Sequence, residues 1–140
     1  MPPTTPALAR RLERLAYLSS GVPDAEAARE RLVALYGESP LEKADVVIAL
    51  GGDGLMIQTL HKLMGRNLPV FGMNRGSVGF LMNDFREDGL LERLAAATSS
   101  VVHPLVMRVT TNDGETHEAR AINEVSMLRQ THQAAKLRIA

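Results

Sequence analysis

Three short apolar runs stand out in the first hundred residues, and each is followed by a segment with helical spacing. The middle run, ADVVIAL (44–50), is almost continuously apolar, which is typical of a strand buried on both faces. Flanking strands are predicted at RLAYLSSG (14–21), which ends in a Ser-Ser-Gly turn, and at LPVFGMN (68–74). Strands and helices are therefore expected to alternate along this part of the chain.

The first helical segment, PDAEAARERLVALYG, carries end signals at both termini. Pro23 suits the first turn of a helix, and Gly37 suits its end. Leu32, Leu35 and Tyr36 are predicted to share one face.

Two further helices complete the alternation. One is predicted after the glycine-rich stretch that follows residue 50, with Gly65 closing it, and its apolar positions are Met56, Leu60, Leu63 and Met64. The other is REDGLLERLAAAT (86–98), despite Gly89 near its start. Residues 13–100 thus predict an α/β fold, a parallel sheet with helices on both faces, whose ligands bind outside the carboxyl ends of the strands.

The pattern changes near residue 101. The segment 103–129 shows partial alternation of period two around Asn112-Asp113-Gly114, a strong hairpin signal. The final residues, KLRIA, resemble the beginning of another strand, so we expect an antiparallel β-rich second domain that is mostly absent from this chain. The expected domains are a flexible tail (1–12), an α/β domain with the GGDG loop (13–100) and the truncated start of a β-rich domain (101–140).

Charge and composition exclude several classes of function. Lys+Arg and Asp+Glu are 16 each, so charge gives no support for binding nucleic acid or an anionic membrane. The chain has no cysteine, which excludes disulfides and thiolate metal sites, and its four histidines lack the spacing of a metal site. No apolar run is long enough to span a bilayer. We therefore expect a cytoplasmic protein with no nucleic-acid or membrane partner.

The richest chemical signal is ALGGDGL (49–55), at a predicted strand-to-helix junction. Gly51, Gly52 and Gly54 let the backbone approach a ligand closely, and the helix start favours phosphate. Asp53 would repel phosphate unless it has another task. It could take the proton of a hydroxyl that attacks phosphorus, or hold a divalent cation that bridges phosphates, and both tasks indicate phosphoryl transfer to an alcohol.

Simpler explanations of this loop stay open. Gly-Asp-Gly could be a turn in which the aspartate caps the helix. The chain has neither G-x-x-x-x-G-K-[ST] nor G-x-G-x-x-G, so a P-loop lysine and a hydride-transferring dinucleotide site are disfavoured.

A second glycine loop, GMNRGSVGFL (72–81), follows the next strand. Asn74, Gly76, Ser77 and Gly79 could form a second backbone surface facing the same cleft, or simply a packed turn. Phe80 is expected in the core more often than not, and it could alternatively be an apolar wall for a flat base.

Asn123 and Glu124 follow an extended segment, EARAI. A local kink could aim both side chains into a cleft, where an amide and a carboxylate suit the paired hydroxyls of a sugar. A solvated strand end is the simpler alternative.

Three motifs in this order, GGDGLMIQTLH, GMNRGSVGFL and AINEVSMLR, closely resemble the NAD kinase family, and most closely its bacterial members. A lone GGDG is also found in diacylglycerol-kinase-like and phosphofructokinase-like enzymes. The resemblance implies ATP-dependent phosphorylation of the 2′-hydroxyl of the adenosine ribose of NAD, which gives NADP. It also implies a divalent cation, with Mg²⁺ as the expected ion, and a homo-oligomer, a dimer or tetramer.

The resemblance also implies roles for individual residues. Asp53 would contact the acceptor hydroxyl as the base, Gly54 would contact NAD, and Asn123 and Glu124 would hold the substrate. Together with the loop reasoning, the expected NAD-binding residues are Asp53, Gly54, Phe80, Asn123 and Glu124. The expected phosphate-binding residues are Gly51, Gly52, Gly54, Asn74 and Gly76.

This chain departs from the family at two places. Leu55 stands where the family usually has threonine, and the family's later Gly-Ser-Thr-Ala-Tyr-like segment does not follow Glu124. We therefore expect the chain alone not to be fully active. The alternatives are an inactive nucleotide-binding or oligomerisation module, and a lipid or sugar kinase that shares the GGDG loop.

Overall fold

The computed structural model describes residues 12–76 and 79–139. The chain divides into two compact units, one ending at Val102 and the other beginning at His103. The predicted tail lies outside the described residues except for Leu12, which is buried in the core of the first unit.

The first unit is built on a three-stranded parallel sheet in the order β1-β2-β3. The strands are β1 (Leu15–Ser19), β2 (Val46–Gly51) and β3 (Val70–Asn74). Ser19 lies opposite Leu50 and Gly51 opposite Asn74, so all three strands end at one edge of the sheet. The predicted parallel sheet is confirmed.

Three α-helices and a short 3₁₀-helix (Leu41–Lys43) join the strands. They are α1 (Pro23–Tyr36), α2 (Asp53–Lys62) and α3 (Leu90–Ala96). Pro23 is in the first turn of α1, where its missing N–H costs nothing, and Gly37 ends the helix with φ 74°. Both predicted end signals of α1 are confirmed.

Strand β2 is the centre of the core, because every one of its residues is buried. Side chains alternate along a strand, so Val46, Ile48 and Leu50 pack with α1 and α3 on one face. On the other face Val47 packs with Leu63, the residue that follows α2. The sheet is therefore covered by helices on both faces, as the continuous apolar run predicted.

Two details of the helices were predicted wrongly. Leu35 is 60% exposed, and the inward stripe of α1 consists of Ala25, Ala28 and Leu32, because the helix turns Leu35 away from the sheet before it ends. Helix α3 begins at Leu90, after the predicted start, because Gly89 has the left-handed conformation with φ 63°.

The second unit contains an antiparallel hairpin of β4 (Leu105–Thr110) and β5 (Thr116–Ala121). Gly114 in the connecting turn has φ 86°, and its N–H donates to the carbonyl of Thr111 at 3.0 Å. The hairpin predicted from Asp113-Gly114 is therefore confirmed. In neither unit does a described helix have the length and apolar character needed to cross a membrane.

A buried carboxylate connects the chain before β1 to the chain before β2. The Asp45 side chain is 9% exposed and accepts hydrogen bonds from the Arg14 guanidinium (Nη2 to Oδ1, 2.7 Å) and from the backbone N–H groups of Arg14 (3.0 Å) and Glu13 (3.3 Å). Hydrogen bonding to Arg14 holds the pKa of the Asp45 carboxyl well below its usual range. The ionised carboxylate therefore stabilises the folded state.

We predict that Asp45→Asn lowers the free energy of unfolding at pH 7 by roughly 1–2 kcal/mol, because charge-assisted hydrogen bonds are lost. Since the pKa is depressed in the folded state, this contribution is complete above the ordinary carboxyl pKa of about 4 and is lost as the pH falls below it. Urea unfolding at pH 7 and at pH 3 measures the change, with the exposed Asp88→Asn as the control. A difference between wild type and Asp45→Asn that stays constant with pH contradicts the assignment.

Candidate functional site

The carboxyl ends of the three strands are held together by backbone hydrogen bonds. The N–H of Ser20 donates to the carbonyl of Leu50 at 3.0 Å, and the N–H of Arg75 donates to the carbonyl of Gly51 at 2.8 Å. The turns after β1 and β3 are thus fixed to the end of β2, where the glycine loop begins. This edge is where a parallel sheet is expected to bind its ligand.

Two glycines of the first loop, Gly51 and Gly54, differ in the space around them. A Cβ atom at Gly51 would lie 2.8 Å from Cδ2 of Leu55 and 3.1 Å from Cβ of Ser20, so packing excludes a side chain there. Gly54, in the first turn of α2, is exposed and has open space around it. Nothing in the fold of the described residues requires Gly54 to lack a side chain.

Asp53 is the first residue of α2, and Gly52 is the N-cap with no side-chain hydrogen bond. The interpretation of Asp53 as a helix cap is therefore wrong. Its carboxylate instead accepts hydrogen bonds from two consecutive backbone groups of the second loop, the N–H of Phe80 to Oδ2 at 2.8 Å and the N–H of Leu81 to Oδ1 at 2.9 Å. These bonds join residues 27 and 28 positions apart, so they connect the two glycine loops directly.

Gly79 makes this connection sterically possible. A Cβ atom at Gly79 would collide with the carboxyl carbon and both oxygens of Asp53. Gly79 therefore has to be glycine for the loop to approach the carboxylate this closely.

The second loop leaves β3 and returns to it. Oδ1 of Asn74 accepts a hydrogen bond from the N–H of Gly76 at 3.1 Å, which turns the chain. Asn83 then pairs with Met73, and its backbone N–H and its side-chain amide both donate to the carbonyl of Gly72 at 2.9 Å. Asn74 is thus a turn-forming residue, and its backbone N–H donates to the carbonyl of Asn83 at 2.8 Å.

The second loop passes close to the first. At Gly76 a Cβ atom would lie 3.7 Å from the backbone nitrogen of Gly52 and 3.9 Å from the carbonyl carbon of Gly51. The predicted convergence of the two loops is therefore present in the described residues. Ser77, which was predicted to contribute to this surface, lies outside them.

Phe80 does not belong to the core, so that prediction was wrong. Its side chain is fully exposed, although the loop around it is anchored. The physical reason is its place in the chain: Phe80 lies in a loop, outside the strands and helices whose side chains form the core. The alternative use of the ring, as an apolar wall for a base, stays a prediction.

Asn123 and Glu124 belong to the second unit. Strand β5 ends at Ala121, the chain bends at Ile122 and Asn123, and both Asn123 and Glu124 are exposed. The kink that their prediction required is present. The residues brought together by the first unit are Gly51, Gly52, Asp53, Gly54, Asn74, Gly76 and Phe80.

Sequence reasoning missed two residues that shape the site, Leu81 and Asn83. Leu81 contributes its backbone N–H, a group that every residue except proline has, so no side-chain signal could reveal it. Asn83 could have been noticed, because an asparagine at the end of a glycine-rich loop often bonds to the backbone.

Comparison with known proteins gives a consistent result. A family model described as the ATP-NAD kinase N-terminal domain matches residues 10–98. The NAD kinase of Caulobacter vibrioides is 56% identical over 127 residues, which are 91% of this chain and 49% of that protein. The NAD kinase of Mesorhizobium japonicum is 52% identical over 126 residues, with 90% and 49% coverage, and that of Zymomonas mobilis is 54% identical over 132 residues, with 93% and 51% coverage.

The chain therefore spans about half the length of the curated relatives that it matches. The family match covers the whole sheet, both glycine loops and α3. The resemblance noted from GGDGLMIQTLH and GMNRGSVGFL is confirmed, and the chain belongs to the family of ATP-NAD kinase N-terminal domains.

Proposed function

We propose that this chain is the part of an NAD kinase that activates the acceptor hydroxyl. The reaction is transfer of the terminal phosphoryl group of ATP to the 2′-hydroxyl of the adenosine ribose of NAD, which yields NADP and ADP. The observation that carries the proposal is the Asp53 carboxylate, which lies in a glycine loop at the carboxyl end of β2 and is oriented by two backbone N–H groups. The similarity to proteins named NAD kinase supports it.

Asp53 acts as the general base in this proposal. Each carboxylate oxygen accepts one backbone hydrogen bond, and each has further lone-pair capacity for a hydroxyl proton. As the ribose oxygen forms its bond to the terminal phosphorus, its proton passes to Asp53 and the bond from phosphorus to the ADP oxygen breaks. Catalysis of this kind depends mainly on position and electrostatics, which a carboxylate fixed at both oxygens satisfies.

The phosphates are assigned to the backbone of the two loops. The first N–H groups of α2 have no partners within the helix and carry a partial positive charge. We assign Gly51, Gly52, Gly54, Asn74 and Gly76 to this phosphate surface. The N–H groups of Asn74 and Gly76 are already bonded within the protein, so these two residues are assigned to shape the surface rather than to donate to phosphate. Gly54 gives the strongest support. A glycine inside a helix lowers stability, and the open space around Gly54 leaves no steric reason for a glycine there.

NAD contacts are assigned to an aromatic ring and to a polar pair. The exposed ring of Phe80 offers an apolar face for adenine, next to the carboxylate that its backbone contacts. Asn123 and Glu124 are exposed, and they offer an amide and a carboxylate suited to ribose hydroxyls.

A divalent cation belongs to the proposal only as the companion of ATP. Among the residues that the structure describes, no three His, Cys, Asp or Glu side chains converge as a metal site. Mg²⁺ bound with a nucleotide is usually held by one or two carboxylates and the substrate phosphates, so the phosphates of ATP are its expected ligands. We also propose that the functional form is a homo-oligomer, a dimer or tetramer, which sedimentation of the purified protein tests.

A second candidate function is a nucleotide-binding module without turnover. The observation that favours it is that both oxygens of Asp53 already accept backbone hydrogen bonds, which gives this carboxylate a structural role without catalysis. Calorimetry of the chain with NAD and with ATP separates binding from inertness. An assay of NADP formation, with a chimera in which this chain is continued by the second half of the Caulobacter vibrioides NAD kinase, separates a module from the working part of an enzyme.

We predict that Asp53→Asn in this chimera lowers kcat by about 10²–10⁴-fold, the range typical for loss of a general base. The amide cannot take a proton, although it keeps one oxygen that can accept a hydrogen bond. Circular dichroism and urea unfolding verify that the variant is folded, and Asp88→Asn provides an exposed carboxylate elsewhere as the control. Turnover of Asp53→Asn near that of the unaltered chimera refutes the assignment of the base.

We predict that Gly54→Ala has opposite effects on stability and on NAD binding. Alanine at this open helical position raises the free energy of unfolding by about 0.5–1 kcal/mol. The added methyl group lies on the proposed ligand surface, so Kd for NAD rises in calorimetry. Gly51→Ala is the comparison, since crowding against Leu55 and Ser20 lowers stability by roughly 1–3 kcal/mol. Unchanged NAD affinity in folded Gly54→Ala contradicts a contact at this residue.

A further inference from the structure

The contact between Asp53 and the second loop fixes the orientation of the carboxylate as well as the position of the loop. Two consecutive N–H groups, from Phe80 and Leu81, reach different oxygens of one carboxylate. A single hydrogen bond would leave the carboxylate free to rotate about its bond to Cβ, whereas two bonds to different oxygens set its plane. Successive backbone N–H groups that converge in this way form a concavity for an anion, and here the anion is the protein's own side chain.

We infer that the segment Gly79-Phe80-Leu81 positions the Asp53 carboxylate, so that the base and the aromatic ring of Phe80 are set as one unit. This inference deepens the proposed function and rests on it for the role of Asp53 as base. Gly79, Phe80 and Leu81 are positioning residues through their backbone, while only the ring of Phe80 is assigned to touch the substrate.

Three observations support the inference independently of the reaction. The two hydrogen bonds have good lengths, 2.8 and 2.9 Å, and they are charge-assisted. A side chain at Gly79 would collide with the carboxylate, so the approach is built into the choice of residue. The ring of Phe80 packs in no core, and its position therefore depends on the backbone that holds it.

The coupling has a kinetic consequence. If the amides orient the base, their loss lowers kcat, because a small misplacement of a catalytic group costs up to about 10²-fold in rate. If the same backbone places the ring that faces adenine, losing the carboxylate loosens the ring and raises KM for NAD. If the contact had only a structural role, its loss would change the free energy of unfolding but would change neither kcat nor KM for NAD in the folded enzyme.

Amide hydrogen exchange on the 140-residue chain tests the contact without any assay of activity. We expect the exposed N–H groups of Phe80 and Leu81 to exchange at least about tenfold more slowly than unprotected amides. Asp53→Ala removes this protection, and Asp53→Asn, which keeps one acceptor oxygen, retains part of it. Exchange of both amides at the unprotected rate in the wild-type chain overturns the inference.

Proline and alanine at Leu81 form a matched pair for the chimera. Both remove the leucine side chain, but only Leu81→Pro removes the N–H that reaches Oδ1. We expect kcat of Leu81→Pro to lie at least about tenfold below that of Leu81→Ala. Equal kcat in the two folded variants overturns the inference.

Gly79→Ala and Phe80→Ala complete the test. Gly79→Ala crowds the carboxylate and lowers kcat, and it replaces Leu81→Pro if the proline variant does not fold. Phe80→Ala keeps its N–H, so it raises KM for NAD with little change in kcat, whereas Phe80→Leu restores part of the affinity. A fall in kcat for Phe80→Ala as large as that for Gly79→Ala contradicts the division of roles between the ring and the backbone.

The inference and the proposed function can fail separately. A chimera that makes no NADP refutes the proposed function, while amide hydrogen exchange still decides whether the backbone holds the carboxylate.

Discussion

The structure of the site depends on one interaction, the carboxylate of Asp53 receiving two backbone N–H groups from the second glycine loop. Other hydrogen bonds attach the described part of the loop to the sheet near the two ends of the loop, at Arg75 and at Asn83. The contact with Asp53 draws the middle of the loop over the start of α2. A negative charge in a loop that suits phosphate is therefore stabilised by the protein itself, because the backbone N–H groups bond to the carboxylate before any ligand binds.

The frame that carries this interaction follows from simple physical patterns, which is why it could be predicted. A strand buried on both faces leaves an unbroken apolar run, and β2 is such a strand from Val46 to Gly51. The hairpin was predictable because Gly114 supplies the positive φ that its turn requires. The outward rotation of Leu35 was not, because it depends on where α1 ends over the sheet.

The glycine loops and the aspartate of the site could be predicted from the sequence, but the contacts between them could not. Glycine loops after β2 and β3 had to meet, since parallel strands end at one edge. The donors that meet Asp53 are backbone groups, which carry no side-chain signature, so neither the contact nor the exposure of Phe80 could be inferred. The difference between Gly54, in open space, and Gly79, against the carboxylate, also appears only in three dimensions.

The register between β2 and β3 determines which residues can meet at the site. Asp53 lies two residues beyond the end of β2, and it reaches Phe80 and Leu81 in a sheet where β3 pairs with β2 and Gly51 lies opposite Asn74. Closing this loop of chain costs entropy that the strand pairing and the burial of α2 must first offset. A partly unfolded chain therefore has the glycines and the acid but not their arrangement, because the two loops are connected only where the sheet is complete.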